Sequence, residues 1–187
     1  MVDDDLPHEA QRRAGTTVAP NGSTAPDTAM PASRPAGPRD RPFAEGLYLE
    51  VMKPLLVALG EWDEPTVIRR FREGYRREEV RLILDGHDAP VGWLQVTEQP
   101  DALMLSQIHL IPAARGRGIG TALLRDLLAR GTRESRPVIL WVLRNNPARR
   151  LYERLGFRLV GQEAYKLKMA WMPADGSVSR SSPATAP

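Results

Sequence analysis

The chain has 187 residues, of which 42% are hydrophobic and 26% charged, a composition that indicates a folded domain with a sizeable core. It contains no cysteine, which excludes disulfides, thiolate metal sites and a cysteine nucleophile. The formal net charge is only +3 and the arginines are interspersed with acids, so a nucleic-acid partner is not expected.

Both ends of the chain have a low-complexity composition. Residues 1–41 are rich in Pro, Ala, Ser, Thr and Gly and nearly lack large apolar side chains, and residues 173–187 are similar. Such segments bury too little surface to offset the entropy of ordering them, so both are predicted to be disordered. The folded domain is expected over residues 42–172. No secretory signal and no apolar run of about 20 residues is visible, so we expect a cytoplasmic protein that does not bind membranes.

Two helices are predicted at the start of the domain. Apolar residues recur at helical spacing from Phe43 to Gly60, in a pattern interrupted by Pro54. Asp63-Glu64-Pro65 is typical of a helix start, and the second helix is expected to continue to Tyr75. This helix carries five arginines, which form either an anion-binding patch or, as we expect, a solvated face: Arg69, Arg70, Arg72, Arg76 and Arg77.

The next segments alternate between apolar runs and turn residues, which predicts strands. Val138–Leu143 is nearly all apolar, as expected for a strand buried on both faces. The other predicted strands are Val80–Leu84, Val91–Thr97, Leu103–Ile111, Phe157–Val160 and Tyr165–Trp171.

A glycine-rich loop, Arg115-Gly116-Arg117-Gly118-Ile119-Gly120, joins the strand ending at Ile111 to an amphipathic helix. Glycine permits positive φ and close approach of backbone amides to a ligand, and a helix opening behind it adds unpaired N–H groups. The loop is therefore predicted to bind the pyrophosphate of a nucleotide-like cofactor. Its spacing matches neither the nicotinamide fingerprint nor a P-loop. The alternative is that the glycines serve only a tight turn.

A second motif runs from Asn145 to Phe157, reading NNPARRLYERLGF. Together with Arg115, Gly118 and Gly120 in the R-x-x-G-x-G arrangement, it resembles the GNAT superfamily of N-acyltransferases over about residues 43–172. The resemblance implies an α/β (α+β layered) fold with a mixed, mostly antiparallel central sheet, splayed parallel fourth and fifth strands and flanking helices. The family's usual first strand is not evident. It lies unrecognised around residues 35–43, is missing, or comes from the N-terminal arm.

The resemblance also implies that acetyl-CoA, as the acyl-donor substrate, lies between the two splayed strands, and it implies no metal. The backbone of His109, Leu110 and Ile111 would hold the pantetheine arm, and the loop amides would hold the pyrophosphate. The implied donor-binding residues are Leu110, Ile111, Arg115, Gly116, Arg117, Gly118, Ile119, Gly120, Thr121, Asn145 and Asn146. One of the two asparagines binds while the other caps the short helix, and the sequence leaves open which does which.

The implied chemistry is direct attack of a neutral amine on the thioester through a tetrahedral intermediate, with a strand N–H at Leu110 or Ile111 as the oxyanion donor. Tyr152 matches the family's general acid, and the alternative is a packed core tyrosine. The strand carries no glutamate. By strand alternation Leu105, Gln107 and His109 share one face, so His109 is the candidate base or water relay, unless it is structural.

Two acidic features are weaker candidates. Glu98 is an alternative base, and the cluster Glu61-Trp62-Asp63-Glu64 either attracts a cationic amine or merely begins a helix beside a packed tryptophan. The predicted function is an N-acetyltransferase acting on a primary amine of a small molecule or protein. The alternative is a non-catalytic acyl-CoA-binding module. We expect a monomer or homodimer.

Overall fold

The computed structural model describes residues 30–173. These residues form a seven-stranded sheet flanked by four α-helices. The strands are β1 (Ser33–Pro35), β2 (Val80–Leu84), β3 (Pro90–Gln99), β4 (Ala102–Leu110), β5 (Val138–Leu143), β6 (Arg158–Glu163) and β7 (Lys166–Trp171). The helices are α1 (Arg41–Val57), α2 (Glu64–Gly74), α3 (Ile119–Arg133) and α4 (Arg149–Arg154), with 3-10 turns at Arg77–Glu79 and Pro112–Ala114.

The sheet has the strand order β1-β2-β3-β4-β5-β7-β6, in which only the β4–β5 pair is parallel. One face packs against α1 and α2 around the fully buried Trp93, with Tyr48 and Phe71 as helix partners. The other face packs against α3 and α4, where Leu124 and Phe157 are buried. This architecture confirms the predicted mixed, mostly antiparallel sheet with flanking helices.

The first strand is present, and it lies inside the segment predicted to be disordered. Ser33, Arg34 and Pro35 pair with Ile83, Leu82 and Arg81 of β2. The Arg34 guanidinium donates two hydrogen bonds to the Asp40 carboxylate, at 2.6 and 2.9 Å, which holds the strand to the start of α1. The predicted domain boundary at residue 42 is therefore corrected. The remaining expectations of disorder, for residues 1–29 and 174–187, lie outside the described residues.

The structure confirms both helices that the sequence predicts at the start of the domain. The Asp63 side chain accepts a hydrogen bond from the Thr66 N–H at 3.1 Å and so caps α2, with Pro65 in its first turn. Pro54 lies inside α1, which ends within a turn of it at Val57. Both helices pack aromatic side chains, Tyr48 from α1 and Phe71 from α2, against the same face of the sheet, and Tyr48 contacts the His109 ring of β4 there.

The two parallel strands separate after a short stretch of pairing. Leu103, Met104 and Leu105 pair with Val138, Ile139 and Leu140, and no β4–β5 pair follows. A bulge in β4 begins at the same point: Leu105 lies opposite Val96 and Gln107 opposite Gln95, so Ser106 is an extra residue. The divergence expected from the resemblance is confirmed, and it opens a gap in the middle of the sheet.

Candidate active site

A cavity of about 340 Å³ occupies this gap. Its walls come from β4 and β5, from α1 through Tyr48 and Met52, and from α4 through Tyr152. Glu163 and Lys166, which flank the β6–β7 turn, complete the lining. The lining mixes apolar side chains such as Leu105, Ile108 and Leu140 with polar ones such as Ser106, Gln107 and Asn146, so the cavity can hold a ligand that has both apolar and polar parts.

The direction of the β4 amides decides which of them can meet a ligand. The Ile111 N–H donates to the Val91 carbonyl at 2.9 Å, so of the two predicted oxyanion donors, Leu110 and Ile111, the Ile111 amide is wrong. Hydrogen bonds alternate along an antiparallel ladder, so His109 also directs its N–H toward β3. Ile108 and Leu110 direct their N–H groups away from β3, and of these two Ile108 lines the cavity.

The bulge at Ser106 also corrects the predicted face sharing. Leu105 packs with Leu103 and Leu124 on the α3 side of the sheet. Gln107 lies opposite Gln95, on the α1–α2 side, because the extra residue inverts the alternation. Leu105 therefore does not share a face with Gln107 and His109, whereas those two do.

His109 is buried among aromatic rings at the edge of the cavity. Its ring lies 5.1 Å from that of Trp93 and 5.5 Å from that of Tyr48, and Nε2 is 2.8 Å from Gln107 Oε1. Nδ1 is buried and has no hydrogen-bond partner among residues 30–173. Burial, and to a lesser degree the positive charge of Arg115, lower the pKa of His109 to about 4. The imidazole is therefore neutral at pH 7 and a weak base.

Tyr152 belongs to the apolar core and also lines the cavity. It is 6% exposed, and its ring packs edge-on against Phe157 at 5.8 Å. Burial raises the pKa of Tyr152 to about 12, so the phenol keeps its proton at neutral pH. Both readings of this residue from the sequence are therefore compatible: it is a packed core tyrosine whose edge is available to the cavity.

The glycine loop lies beyond the end of β4 and leads directly into α3. Gly116 and Gly118 have φ values of +72° and +81°, which favour glycine. Gly118 is the N-cap and supplies no capping side chain. The amides of Ile119, Gly120 and Thr121 find no acceptor in the described part of the chain, so a set of free N–H groups stands at the positive end of a 15-residue helix.

The side chains around this loop leave it open. Arg115, Gly116 and Arg117 are exposed, and a Cβ on Gly116 would meet no atom of the described part of the chain within 4 Å. Arg115 Nε donates to the Leu110 carbonyl at 2.9 Å, which ties the loop to the end of β4 and leaves the rest of the guanidinium exposed. The free amides and two exposed arginines suit a diphosphate.

The two asparagines are assigned different partners by the structure. Asn146 Oδ1 accepts from the Ala148 N–H at 2.9 Å and so caps the turn leading into α4, and the residue also lines the cavity. Asn145 Nδ2 donates to the Leu55 carbonyl at 2.9 Å, one of the carbonyls in the last turn of α1 that lack a helical partner. Asn146 is the capping residue, and of the two asparagines it is the one that lines the cavity.

The weaker acidic candidates have other partners. Glu98 is an exposed member of an ion-pair network with Arg130 and Arg136, whose hydrogen bonds lower its pKa. In the acidic–aromatic cluster, Lys53 Nζ lies 5.5 Å from the Trp62 ring centre, so a cation already covers that ring. Neither feature lines the cavity.

Several cavity residues were not found from the sequence. Ser106 and Ile108 owe their positions to the bulge, and Tyr48 arrives from α1. Glu163 and Lys166 meet the cavity because the β6–β7 hairpin folds back beside β5. The sequence predicted strands at Phe157–Val160 and Tyr165–Trp171, but it does not show that the turn between them lies beside the cavity. Within residues 30–173 no helix has the length and apolarity to cross a membrane, and no cluster of metal-ligating side chains is found.

The part of the chain that forms the cavity and the glycine loop is similar to known proteins. The model of the acetyltransferase (GNAT) family matches residues 46–157. The chain is 30% identical over 151 residues to the GCN5-like protein acetyltransferase Rv2170 of Mycobacterium tuberculosis, covering 79% of this chain and 66% of that protein. It is 32% identical over 91 residues to the uncharacterized N-acetyltransferase MJ1207 of Methanocaldococcus jannaschii, covering 44% of this chain and 40% of that protein. The match thus spans less than two thirds of each relative.

Solved structures share the fold. The PaiA N-acetyltransferase of Thermoplasma acidophilum, solved in complex with coenzyme A, superimposes with a TM-score of 0.62 at 16% identity, covering 75% of this chain and 98% of that one. A structure from Corynebacterium glutamicum described as histone acetyltransferase HPA2 and related acetyltransferase gives a TM-score of 0.58 at 20% identity, covering 80% and 99%. At these identities the likeness shows the fold alone.

Proposed function

The chain belongs to the acetyltransferase (GNAT) family, and we propose that it transfers the acetyl group of acetyl-CoA to a primary amine of a small molecule or protein. The observation that carries this proposal is the cavity between the separating ends of β4 and β5, with a buried phenol in its wall. The free amides of α3 lie beyond the end of β4. An extended thioester arm fits such a slot, and its phosphates suit the helix N-terminus.

Donor binding uses main-chain groups in this proposal. The loop from Arg115 to Gly118 and the first turn of α3, through Thr121, bind the pyrophosphate. The exposed guanidinium groups add charge-assisted hydrogen bonds. The N–H of Leu110 serves the pantetheine arm, because it points away from β3, and Asn146 contributes from the opposite wall of the cavity.

The transfer is a direct attack of the amine nitrogen on the thioester carbonyl carbon. A carbon–nitrogen bond forms, the carbonyl oxygen becomes an oxyanion, and the carbon–sulfur bond then breaks. We assign the oxyanion donor to the Ile108 N–H, because this amide faces away from β3 at the cavity wall. Tyr152 donates its proton to the departing sulfur, a role supported by a phenol that remains protonated at neutral pH.

The test is an amine panel in which release of free CoA from acetyl-CoA is followed for the wild type and for Tyr152→Phe. We expect amine-dependent release by the wild type and a kcat lower by roughly 100-fold in Tyr152→Phe, with CoA binding unchanged. Tyr75→Phe is the matched control, since Tyr75 also carries a buried hydroxyl but does not line the cavity.

Two results would contradict this assignment. A kcat of wild-type size in Tyr152→Phe removes the general-acid role. Binding of CoA by a wild-type protein that releases none with any amine favours the non-catalytic acyl-CoA-binding module instead.

A further inference from the structure

A line of hydrogen-bonded side chains connects the cavity to a carboxylate on the α1–α2 side of the sheet. Thr97 Oγ1, on β3, lies 2.5 Å from Glu79 Oε2 and 2.9 Å from Ser106 Oγ. Gln95 Nε2 donates to the same Glu79 oxygen at 2.8 Å and to the Gly74 carbonyl at 3.0 Å. Ser106 lines the cavity, and Glu79 is half-buried at the end of the 3-10 turn before β2.

The proton positions along this line follow from the chemistry of the groups. An ionised carboxylate only accepts, so Thr97 donates its single hydroxyl proton to Glu79. Thr97 must then accept from Ser106, which spends its own proton in that bond. Ser106 Oγ is left with free lone pairs and no proton to offer, and no donor among residues 30–173 hydrogen-bonds to it. Ser106 Oγ can therefore accept a hydrogen bond from a group that enters the cavity.

The β4 bulge places Ser106 where such a donor would arrive. Ser106 is the extra residue of the bulge and lies next to Leu105, the last β4 residue paired with β5. It therefore lies where the gap begins, two residues before the Ile108 amide that we assign to the oxyanion, and both residues line the cavity. An amine attacking a carbonyl held there would have its N–H groups close to Ser106.

We propose that Ser106, Thr97 and Glu79 form a proton relay that deprotonates the attacking amine. A substrate N–H bond breaks as its proton passes to Ser106 Oγ, the Ser106 proton passes to Thr97 Oγ1, and the Thr97 proton passes to Glu79 Oε2. The nitrogen keeps its electron pair for the carbonyl carbon, and the carboxylic acid at Glu79 returns its proton to water. The proposal rests on the acetyltransferase function and supplies the base that a neutral, buried His109 does not.

The other ionisable groups around the relay are few. In the cavity wall they are Tyr48 from α1, His109 from β4, Tyr152 from α4, and Glu163 and Lys166 from the β6–β7 hairpin. At the outer end Glu79 has only Gln95 and Thr97 as side-chain partners, and it takes part in no ion pair among the described residues. Its sequence neighbours Arg76, Arg77 and Glu78 are exposed, as is Glu98 on the opposite face of β3.

The test measures kcat/KM for an accepted amine over a pH range that spans the pKa of that amine. Thr97→Val and Ser106→Ala each cut the relay, so we expect kcat/KM to fall by roughly 100-fold where the substrate is an ammonium ion. Above the amine's pKa the free base dominates without help, so both variants should approach the wild-type rate. Thr97→Ser restores the hydroxyl and should restore the profile, and Glu78→Gln is the control for loss of a neighbouring carboxylate.

A merely structural role for these side chains gives a different result. Loss of bulge geometry would lower kcat/KM by the same factor at every pH, and this outcome overturns the relay, as does an unchanged profile or a failure of Thr97→Ser to rescue. A lowered melting temperature or a weakened CoA affinity identifies a misfolded variant. If Thr97→Val or Ser106→Ala misfolds, the pH profile of the remaining one of the two decides. If the wild type turns over no amine, the proposed function fails and the relay with it. If the wild type does acetylate an amine, the pH profiles of the variants test the relay alone.

Discussion

Protonation of His109 should destabilise the folded protein in mild acid. The imidazole is 7% exposed and packed between Trp93 and Tyr48, and its pKa is about 4 in the folded state against an ordinary value of 6.5. The unfolded chain therefore binds more protons than the folded one between these values, so stability falls as the pH drops through that interval. At 1.36 kcal/mol per pH unit, the full effect is about 3 kcal/mol.

Between pH 7 and pH 5 the same linkage gives a loss of about 2 kcal/mol in the free energy of unfolding. Carboxylates such as Asp40 and Glu45 have lowered pKa values, because of hydrogen bonds from Arg34 and Arg72 respectively. Their contribution is present above the unfolded pKa near 4 and is lost only below it, so it does not enter this interval.

The assay is urea unfolding at the two pH values and constant ionic strength, followed by tryptophan fluorescence, since Trp93 is fully buried beside the imidazole. His109→Gln replaces the titrating ring by an amide and should remove most of the difference between the two pH values. His87→Gln, at an exposed turn position, should leave it in place. Equal stability of the wild type at both pH values, or the same loss in His109→Gln, would refute the reasoning.

Two further substitutions test the framework. At Gly92 an added Cβ would lie 2.4 Å from the His109 carbonyl oxygen, so Gly92→Ala should lower the free energy of unfolding by about 3 kcal/mol in urea titration. Gly86→Ala, where no atom of residues 30–173 lies within 4 Å of the added Cβ, should have little effect, and equal losses at the two sites would contradict the close packing. Asp63→Ala removes the cap of α2 and should lower the melting temperature by about 2–4 °C in circular dichroism, whereas Asp63→Asn keeps an acceptor and most of the stability. A melting temperature unchanged in Asp63→Ala would show that the cap contributes nothing.

The outcome of the structural predictions around the site depended on whether they rested on local sequence or on strand pairing. The loop and α3 could be placed from glycine spacing and helix periodicity, because both are local properties of the chain. The sequence left open which asparagine caps the short helix, and the structure decides it, because Asn146 Oδ1 accepts a hydrogen bond from the Ala148 amide. The use of the Ile111 amide was wrong, because its partner is Val91, a residue twenty positions earlier in the chain that only strand pairing brings near.

The amino-acid sequence by itself determined the elements with strong local signals. Val138–Leu143 is a buried strand as its apolar run predicts, and α2 begins where Asp63, Glu64 and Pro65 predict. It also carried two motifs whose order and spacing indicated the family. These features depend on contacts within a few residues, so one stretch of chain is enough to specify them.

Only the tertiary structure decided which side chains meet at the gap between β4 and β5. A single extra residue, Ser106, inverts the alternation of β4, and period-two patterning does not reveal a bulge. The strand at Ser33–Pro35 has too little apolar surface to be recognised and exists because β2 offers an edge to pair with. Glu79, Thr97 and Ser106 come from three separate segments, and their hydrogen bonds arise because pairing of the sheet brings those segments side by side. Burial, which makes His109 a weak base, is likewise a property of the packed molecule and of no short stretch of it.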